Sequence, residues 1–482
     1  MTNSLLKTSA EIPAPPQASP QASPVWLVEA RALMRLAGPI VVTQLAQMGV
    51  GTIDILMLGA YSKEALAASA LGLSLFYAMW LLGMGPAVAV SPMIAHTLGE
   101  RRVAAPAVRA SVRMAFWAIL LMSPPMMLFL AFTEQMLLAV GEPAELSADA
   151  GAFVRLLLLG LPFTLGFQVL RAYANALSRP RAPLVVMGLT VAFNAALAYA
   201  LIFGHFGAPR LGLIGAGIAS AVSFAFSFFA LLAAVFISPE LSRYRIFHRF
   251  GRASWSKFAE VFRLGTPIGM SMIFEAMFFN AGTLMMGYFG TASVAAHQVA
   301  LNACALAFMV PLGVATAATV RVGLAAGAKD MPRVRIAGVT ASVMGLAFMT
   351  VTGLAFAIFP RELVGLYVDA SDPANADVID HAVIFLRMGA AFQLFDSLQV
   401  TFGLSLRGLK DAQAPMWING ASYWLIGFPS ALFLAFGLGL EGLGVWIAFV
   451  LGLIACAAAM ALRFSWMSGM IGPRRAKALA QG

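Results

Sequence analysis

Charged residues are scarce in this chain of 482 residues: Asp, Glu, Lys and Arg together make up 11% of it. Soluble domains carry about 25% charged and about 45–50% apolar residues, whereas 61% of this chain is apolar. This scarcity of charge excludes both an ordinary soluble domain and a disordered chain. The mean hydropathy of +0.86 is typical of a protein with many membrane-spanning segments.

Cysteine, metal-binding and nucleotide-binding patterns are also lacking. The two cysteines, Cys304 and Cys456, lie in apolar runs, so we expect no disulfide framework and no cysteine metal site. The sequence has neither the G-x-x-x-x-G-K-[ST] phosphate loop nor the H-E-x-x-H zinc motif. A G-x-G-x-x-G match at 437–442 follows no predicted strand, and we interpret it as a turn. We therefore expect a protein that is not an enzyme and that holds no resident cofactor.

Long apolar runs, broken by charged and turn residues, predict twelve spanning helices, because one span needs about 20 apolar residues. The predicted spans are 33–58, 66–93, 108–132, 150–173, 183–204, 212–237, 260–288, 294–320, 336–359, 378–405, 415–436 and 443–466. The sequence thus predicts an all-α polytopic membrane protein, whose main partner is the lipid bilayer.

The distribution of basic residues predicts the orientation. With the N-terminus in the cytoplasm, 26 of the 31 Lys and Arg residues lie in or beside inside segments. Such an excess marks the cytoplasmic side, so we expect both termini there. We interpret the net charge of +10 as a topology signal, and we expect no nucleic-acid partner.

An internal repeat divides the chain. Residues 35–100 align without gaps to residues 263–328, an offset of 228, and 14 of the 66 positions are identical. Six predicted spans separate the copies, which indicates two parallel six-helix bundles with a substrate cavity between them. The predicted domains are a disordered tail, a first lobe, a cytoplasmic linker, a second lobe and a basic C-terminal tail, at 1–30, 31–237, 238–259, 260–466 and 467–482.

Three acidic residues lie inside predicted spans: Asp54, Glu275 and Asp396. Intramembrane charges are costly and usually functional. Glu275 lies 12 residues past Arg263 and Asp396 lies 11 residues before Arg407, so both are about 16–18 Å from an inner-face charge. A facing pair of carboxyl groups at this depth would share a proton or a cation. The alternative is that neighbouring polar groups cap each acid for structure alone.

Further polar and helix-bending residues accompany these acids. Asn194 is the other deep polar residue of the first lobe. Pro39 and Pro267 lie at the beginnings of spans 1 and 7; each is either a hinge inside its helix or an ordinary helix-start proline, and the sequence leaves both open. No Arg or Lys is expected deep in a span.

The chain resembles the multidrug and toxic compound extrusion (MATE) transporters, in particular their bacterial NorM-like branch. The most specific blocks are AAHQVALN at 295–302, LRGLKDAQAP at 406–415, and Pro39 placed fifteen residues before Asp54. The resemblance covers about residues 30–465. It implies a V-shaped fold of two pseudo-symmetric lobes in the bacterial inner membrane, with no cofactor beyond a coupling ion. We expect a monomer.

The resemblance also implies an activity and roles for residues. It implies a secondary transporter that exports small organic cations in exchange for H⁺ or Na⁺, with ion coupling at Asp54, Glu275, Asp396, Asn194 and Ser220. Na⁺ could bind at any of the three acids, although no metal site is certain.

Two departures from the family pattern bear on the coupling ion. Ala198 and Phe392 stand where relatives often carry an oxygen ligand. Since Na⁺ needs oxygen donors, these replacements favour H⁺. The alternative function is a flippase for a lipid-linked envelope precursor, which would need a basic cavity; the expected lack of deep Arg or Lys argues against it.

Overall fold

A computed structural model describes residues 25–100, 104–369 and 371–470. Within these ranges, twelve helices are long and apolar enough to cross a membrane. We number them α1 (Val25–Tyr61), α2 (Lys63–Glu100), α3 (Ala105–Ala131), α4 (Ala144–Ala176), α5 (Arg181–Phe203), α6 (Leu213–Ile237), α7 (Trp255–Phe289), α8 (Thr291–Gly327), α9 (Met331–Ile358), α10 (Pro373–Gly408), α11 (Gln413–Gly437) and α12 (Glu441–Met467). Each predicted span corresponds to one of these helices.

Several helices begin earlier than the sequence predicted. α1 begins at Val25, so the prediction of a disordered tail up to residue 30 is wrong for its last six residues. The reason is tertiary, because Glu29 is buried in a contact with Arg321 of α8. α7 begins at Trp255, which shortens the linker. Of the two predicted tails, 1–30 and 467–482, residues 1–24 and 471–482 lie outside the described residues.

Pro39 and Pro267 lie inside their helices and not at helix starts. Pro39 is fourteen residues past the beginning of α1, and Pro267 is twelve residues past the beginning of α7. The helix-start interpretation is therefore wrong. The hydroxyl of Thr43 donates to the Pro39 carbonyl oxygen at 2.7 Å. A proline inside a helix removes a backbone hydrogen bond and can bend the helix, so the hinge interpretation stays a prediction for both.

The helices form two bundles of six, each with a large buried apolar cluster, and the first cluster also includes residues from the beginning of α7. In the first lobe, α4 packs against α2, α3 and α6, and α5 packs against both α6 and α1. In the second lobe, α10 packs against α8, α9 and α12, and α11 packs against both α12 and α7. Helices 1 to 6 and 7 to 12 thus repeat one arrangement, as the parallel repeat predicts. The segment between the lobes is tied to the first one, since the Tyr173 hydroxyl donates to the Leu241 carbonyl at 2.5 Å.

Glycines let the two lobes approach closely along a seam between them. Gly85 of α2 meets the backbone of Gly265 and Gly269 in α7, leaving no room for a Cβ. The repeat offset of 228 maps Gly85 to Gly313, and it maps Val41 to Gly269. Gly313 indeed packs against Val41 of α1. The two contacts are therefore copies of each other, related by the pseudo-twofold axis of the repeat.

The same axis passes close to a second pair of glycines. A Cβ on Gly99 of α2 would overlap the carbonyl oxygen of Leu324, and a Cβ on Gly327 of α8 would overlap that of His96. Gly99 maps to Gly327, and His96 maps to Leu324, at the same offset. The two copies of the sequence repeat therefore contact each other through equivalent residues.

These contacts lie toward one face of the molecule, which we call the terminal face because α1 begins there and α12 ends there. An ion pair ties the lobes together at this face. Arg321 of α8 donates from Nε and Nη2 to the carboxylate of Glu29 on α1, with an Nε–Oε1 distance of 2.7 Å. Apolar residues of α1, α2, α8 and α9 form a third buried cluster beside it. The terminal face is closed by this combination of packing and charge.

Replacement of Gly99 or Gly327 by alanine should destabilise this closed seam, because the added Cβ must push two backbones apart. We expect a cost of about 1–3 kcal/mol, measured as a lower apparent thermal unfolding midpoint of the purified protein. Gly38→Ala is the matched control, since a Cβ at Gly38 meets no atom within 4 Å. Equal midpoints for Gly99→Ala and Gly38→Ala would contradict the tight seam.

Candidate functional site

A cavity of about 590 Å³ lies between the lobes. It is lined by α1, α2 and α4 of the first lobe and by α7, α8 and α10 of the second. These are three pairs of helices related by the repeat. The cavity is thus built on the pseudo-twofold axis, directly beyond the seam that closes the terminal face.

Thioether and aromatic side chains cover much of the cavity wall. They come from both lobes: Met48, Tyr77, Trp80, Met84, Met272, Phe279, Phe308 and Met309. Methionine fills irregular space and adapts to different partners, and aromatic faces attract organic cations. The sequence, with 27 Met and 36 Phe, could not identify which of these residues line the cavity; the packing of six helices decides it. The wall suits an amphipathic molecule.

The charged groups of the cavity are Glu275 of α7, Arg171 of α4 and Arg407 of α10. Nη1 of Arg171 donates to Oε1 of Gln44 and to Oε1 of Gln47, both at 3.0 Å. Both arginines lie near the ends of their helices, but the argument that the cavity has no basic group is wrong. Arg171 lies within its predicted span, 150–173, and Arg407 lies two residues past the predicted end of span 378–405. The cavity reaches both guanidinium groups.

Asp54 lines a separate small cavity of about 90 Å³ within the first lobe. The Ser220 hydroxyl donates to its Oδ2 at 2.6 Å. Asn194 is fully buried and neighbours Asp54, but no hydrogen bond joins its amide to a described residue. The structure thus brings together the three polar residues singled out in the first lobe. This cavity and the inter-lobe cavity share three lining residues, Gln47, Tyr77 and Trp80.

Glu275 and Asp396 are neighbours in the second lobe. Asp396 is only 5% exposed and does not line the inter-lobe cavity, whereas Glu275 does. Their proximity agrees with the depth estimated from the sequence. That the pair shares a proton or a cation stays a prediction.

Tyr423 is a further buried group near both of these acids, and no sequence pattern singled it out. Its hydroxyl has no hydrogen-bond partner among the described residues, and it neighbours Glu275 and Asp396. Tyr423 belongs to a π-helical stretch of α11, Ser422–Gly427; such stretches are frequent at functional sites. Phe392 is packed between Phe279 and Trp446. An oxygen is therefore present near the acids, although it comes from α11 and not from α10.

Comparisons with known proteins agree with this architecture. The MatE family model matches residues 39–200 and 267–433, and the two matches begin at Pro39 and Pro267, one repeat offset apart. The chain belongs to the MATE family. It is 40% identical over 441 residues to a probable multidrug resistance protein NorM from Mesorhizobium japonicum, covering 91% of this chain and 94% of the relative. The corresponding protein of Rhizobium meliloti is 40% identical over 439 residues, with the same coverage.

Solved structures of this MATE family share the fold. An outward-facing multidrug resistance MATE family transporter has a TM-score of 0.82 at 19% identity, covering 92% of this chain and 96% of that one. The eukaryotic MATE transporter AtDTX14 has a TM-score of 0.80 at 22% identity, covering 91% and 95%. The chain is therefore a multi-pass membrane transporter of the NorM-like branch, with the two-lobed, twelve-helix fold that the sequence predicted.

Ser220→Ala should destabilise the first lobe by about 1–2 kcal/mol, because Asp54 loses its hydrogen-bond donor in a buried site. The thermal unfolding midpoint of the purified protein measures this loss. Ser223→Ala is the control: Ser223 lines the same cavity, and its hydroxyl has no partner among the described residues. We expect Ser223→Ala to be neutral or stabilising. A loss at Ser223 as large as that at Ser220 would contradict a specific Asp54–Ser220 bond.

Proposed function

We propose that this protein exports amphipathic organic cations from the cytoplasm in exchange for an inward-moving ion. The observation that carries the proposal is the inter-lobe cavity, where Glu275 lies on a wall of thioether and aromatic groups. A carboxylate among apolar faces matches a molecule that combines a positive charge with apolar surface. The names of the NorM relatives, probable multidrug resistance proteins, support the same activity.

The coupling ion would bind at Asp54, Glu275 or Asp396, the acids that the sequence analysis singled out. A buried carboxyl can take up a proton near neutral pH, because burial disfavours its charged form. Protonation of Glu275 would remove the negative charge that faces a bound cation in the inter-lobe cavity. Ion binding and drug binding would then compete for one charge, which is the requirement for exchange.

Asp54 does not face the inter-lobe cavity and would act through helix packing. It lies on α1, fifteen residues beyond Pro39, and is held by Ser220 of α6. Neutralising Asp54 weakens its hydrogen bond to Ser220, since charge-assisted hydrogen bonds are the stronger ones. A change in the bend of α1 at Pro39 would then displace Gln44 and Gln47, which line the inter-lobe cavity.

Transport would proceed by alternating access about the glycine seam. In the described conformation the terminal face is closed by the seam and by the Glu29–Arg321 ion pair. With the termini in the cytoplasm, as the basic residues predict, this conformation faces outward. The inward-facing state requires both contacts to open while the lobes rock. The membrane potential contributes about 2.3 kcal/mol per charge per 100 mV to the cycle.

H⁺ is the favoured coupling ion, with Na⁺ as the alternative. Ala198 provides no oxygen near Asn194, and Phe392 provides none near Asp396, which disfavours Na⁺. Tyr423 offers a hydroxyl near Glu275 and Asp396, and this keeps the alternative open in the second lobe. The transporter would act as a monomer in the inner membrane.

Reconstitution in liposomes tests the proposal. A pH gradient and a Na⁺ gradient are imposed separately, and export of ethidium is followed by its fluorescence. We expect export driven by the pH gradient, and its loss in Asp54→Asn or Glu275→Gln because the coupling ion loses its carboxylate. Glu145→Gln, an exposed acid at the start of α4, is the control and should export as the original chain does.

The other outcomes are equally informative. Export driven only by Na⁺ would overturn the preference for H⁺ and would make the Tyr423 hydroxyl a candidate Na⁺ ligand. No export under either gradient, with folded protein, would overturn drug export in favour of the flippase. That alternative gains one observation from the structure, since Arg171 and Arg407 line the inter-lobe cavity where the sequence had indicated no basic group.

A further inference from the structure

We propose that Arg171 is the anion-binding residue of the inter-lobe cavity, where its guanidinium holds the carboxylate of an amphipathic ligand. The inference deepens the proposed function and rests on it for the statement that the bound molecule is exported. Binding itself can be measured independently. No part of the cation-export mechanism uses Arg171, which makes its position in the wall a separate observation.

The guanidinium of Arg171 is buried and carries a charge that no described residue balances. The residue is 9% exposed. Its hydrogen bonds go from Nη1 to the neutral amide oxygens of Gln44 and Gln47, and it takes part in none of the ion pairs among the described residues. A guanidinium stays protonated in proteins, and a buried charge without a counter-ion is unfavourable. The site therefore favours a ligand that brings a negative charge.

Comparison of the two lobes identifies the charge that is absent. The repeat offset of 228 maps Gln47 of α1 to Glu275 of α7, and both line the cavity. In the second lobe the carboxyl group of Glu275 lies close enough to Arg407 of α10 to act on its charge, although the two residues form no ion pair. In the first lobe Arg171, on the related helix α4, has the neutral Gln47 instead. One half of the cavity thus contains an arginine with an acid in its neighbourhood, and the other half contains an arginine that is hydrogen-bonded only to neutral amides.

The two amides orient the guanidinium for a ligand. Both bonds use Nη1, so the Nε and Nη2 donors make no hydrogen bond to a described residue. A carboxylate binds a guanidinium through two parallel hydrogen bonds, in a geometry that a single ammonium cannot reproduce. The cavity has one acid and two arginines, a balance that suits a single carboxylate better than a polyanion. The positive end of the same ligand would lie against Glu275 and the aromatic wall.

Two rhodamine dyes that differ in one carboxylate measure what this group contributes to binding. Rhodamine 110 carries a free carboxylate and a cationic ring system, and rhodamine 123 is its methyl ester, with the same rings and no negative charge. Equilibrium dialysis of the full-length detergent-solubilised protein measures the Kd of each dye at pH 7.5. We expect tighter binding of the acid by the original chain, and a fall of about tenfold or more in the ester-to-acid Kd ratio for Arg171→Gln.

Two further variants keep the test independent of folding. Gln47→Glu supplies Arg171 with an internal carboxylate at the position related to Glu275, and it should also remove the preference for the acid while the arginine remains. Arg155→Gln removes a guanidinium from the same helix α4 but from an exposed ion pair with Glu134, and should keep the preference. A folding check by thermal unfolding accompanies each variant.

The outcomes separate this inference from the proposed function. Equal Kd values for the two dyes in the original chain, or an unchanged ratio in both Arg171→Gln and Gln47→Glu, would overturn the subsite even if ethidium is exported. A lost preference in both variants, but not in Arg155→Gln, would establish it. Acid-selective binding without export of ethidium or of either rhodamine from liposomes would support the subsite and overturn the export proposal.

Discussion

The structure depends on a backbone-to-backbone contact between the two lobes. Membrane helices gain little from burying apolar surface against each other, because lipid is equally apolar. They associate through close van der Waals packing, which small residues permit. Gly85, Gly99, Gly313 and Gly327 supply that closeness, and the repeat relates them in pairs. The inter-lobe cavity, the closed terminal face and the positions of its charged groups all follow from where this seam lies.

A seam of this kind can close without being permanent. Its contacts are numerous but small, and they lie beside a charged pair, Glu29 and Arg321, whose groups can be rehydrated when the face opens. Arrangements that packed large side chains across the axis would make the lobes one rigid body. The combination of glycine packing and one ion pair therefore suits a transporter that must pass between two packings of the same helices.

Polar groups are distributed unevenly between the lobes despite the repeat. The first lobe keeps its acid, Asp54, in a small cavity of its own, while the second lobe exposes Glu275 to the inter-lobe cavity and buries Asp396 behind it. Gln47 replaces a carboxylate at the position related to Glu275. The duplicated fold thus provides symmetric helices with an asymmetric set of charges: Arg171 on the first-lobe side of the cavity, and both Glu275 and Arg407 on the second-lobe side.

The sequence by itself determined the fold class, the twelve spans, the two lobes and the three intramembrane acids. Apolar run length, basic-residue placement and a repeat in register are local or linear properties, and each has a direct physical meaning in a bilayer. The family blocks at 295–302 and 406–415 are linear as well. Even the position of the cavity, between two parallel bundles, followed from counting spans.

Only the tertiary structure decided which side chains meet. Arg171 and Arg407 lie near the ends of their spans, so that hydropathy placed them at the membrane surface, and only the packing of six helices brings the cavity down to them. Tyr423 near the acids lies in a π-helical stretch of α11, a local geometry that apolar periodicity does not predict. Glu29 of α1 binds Arg321 of α8 across nearly 300 residues of sequence. This contact depends on how the lobes meet, and neither segment alone predicts it.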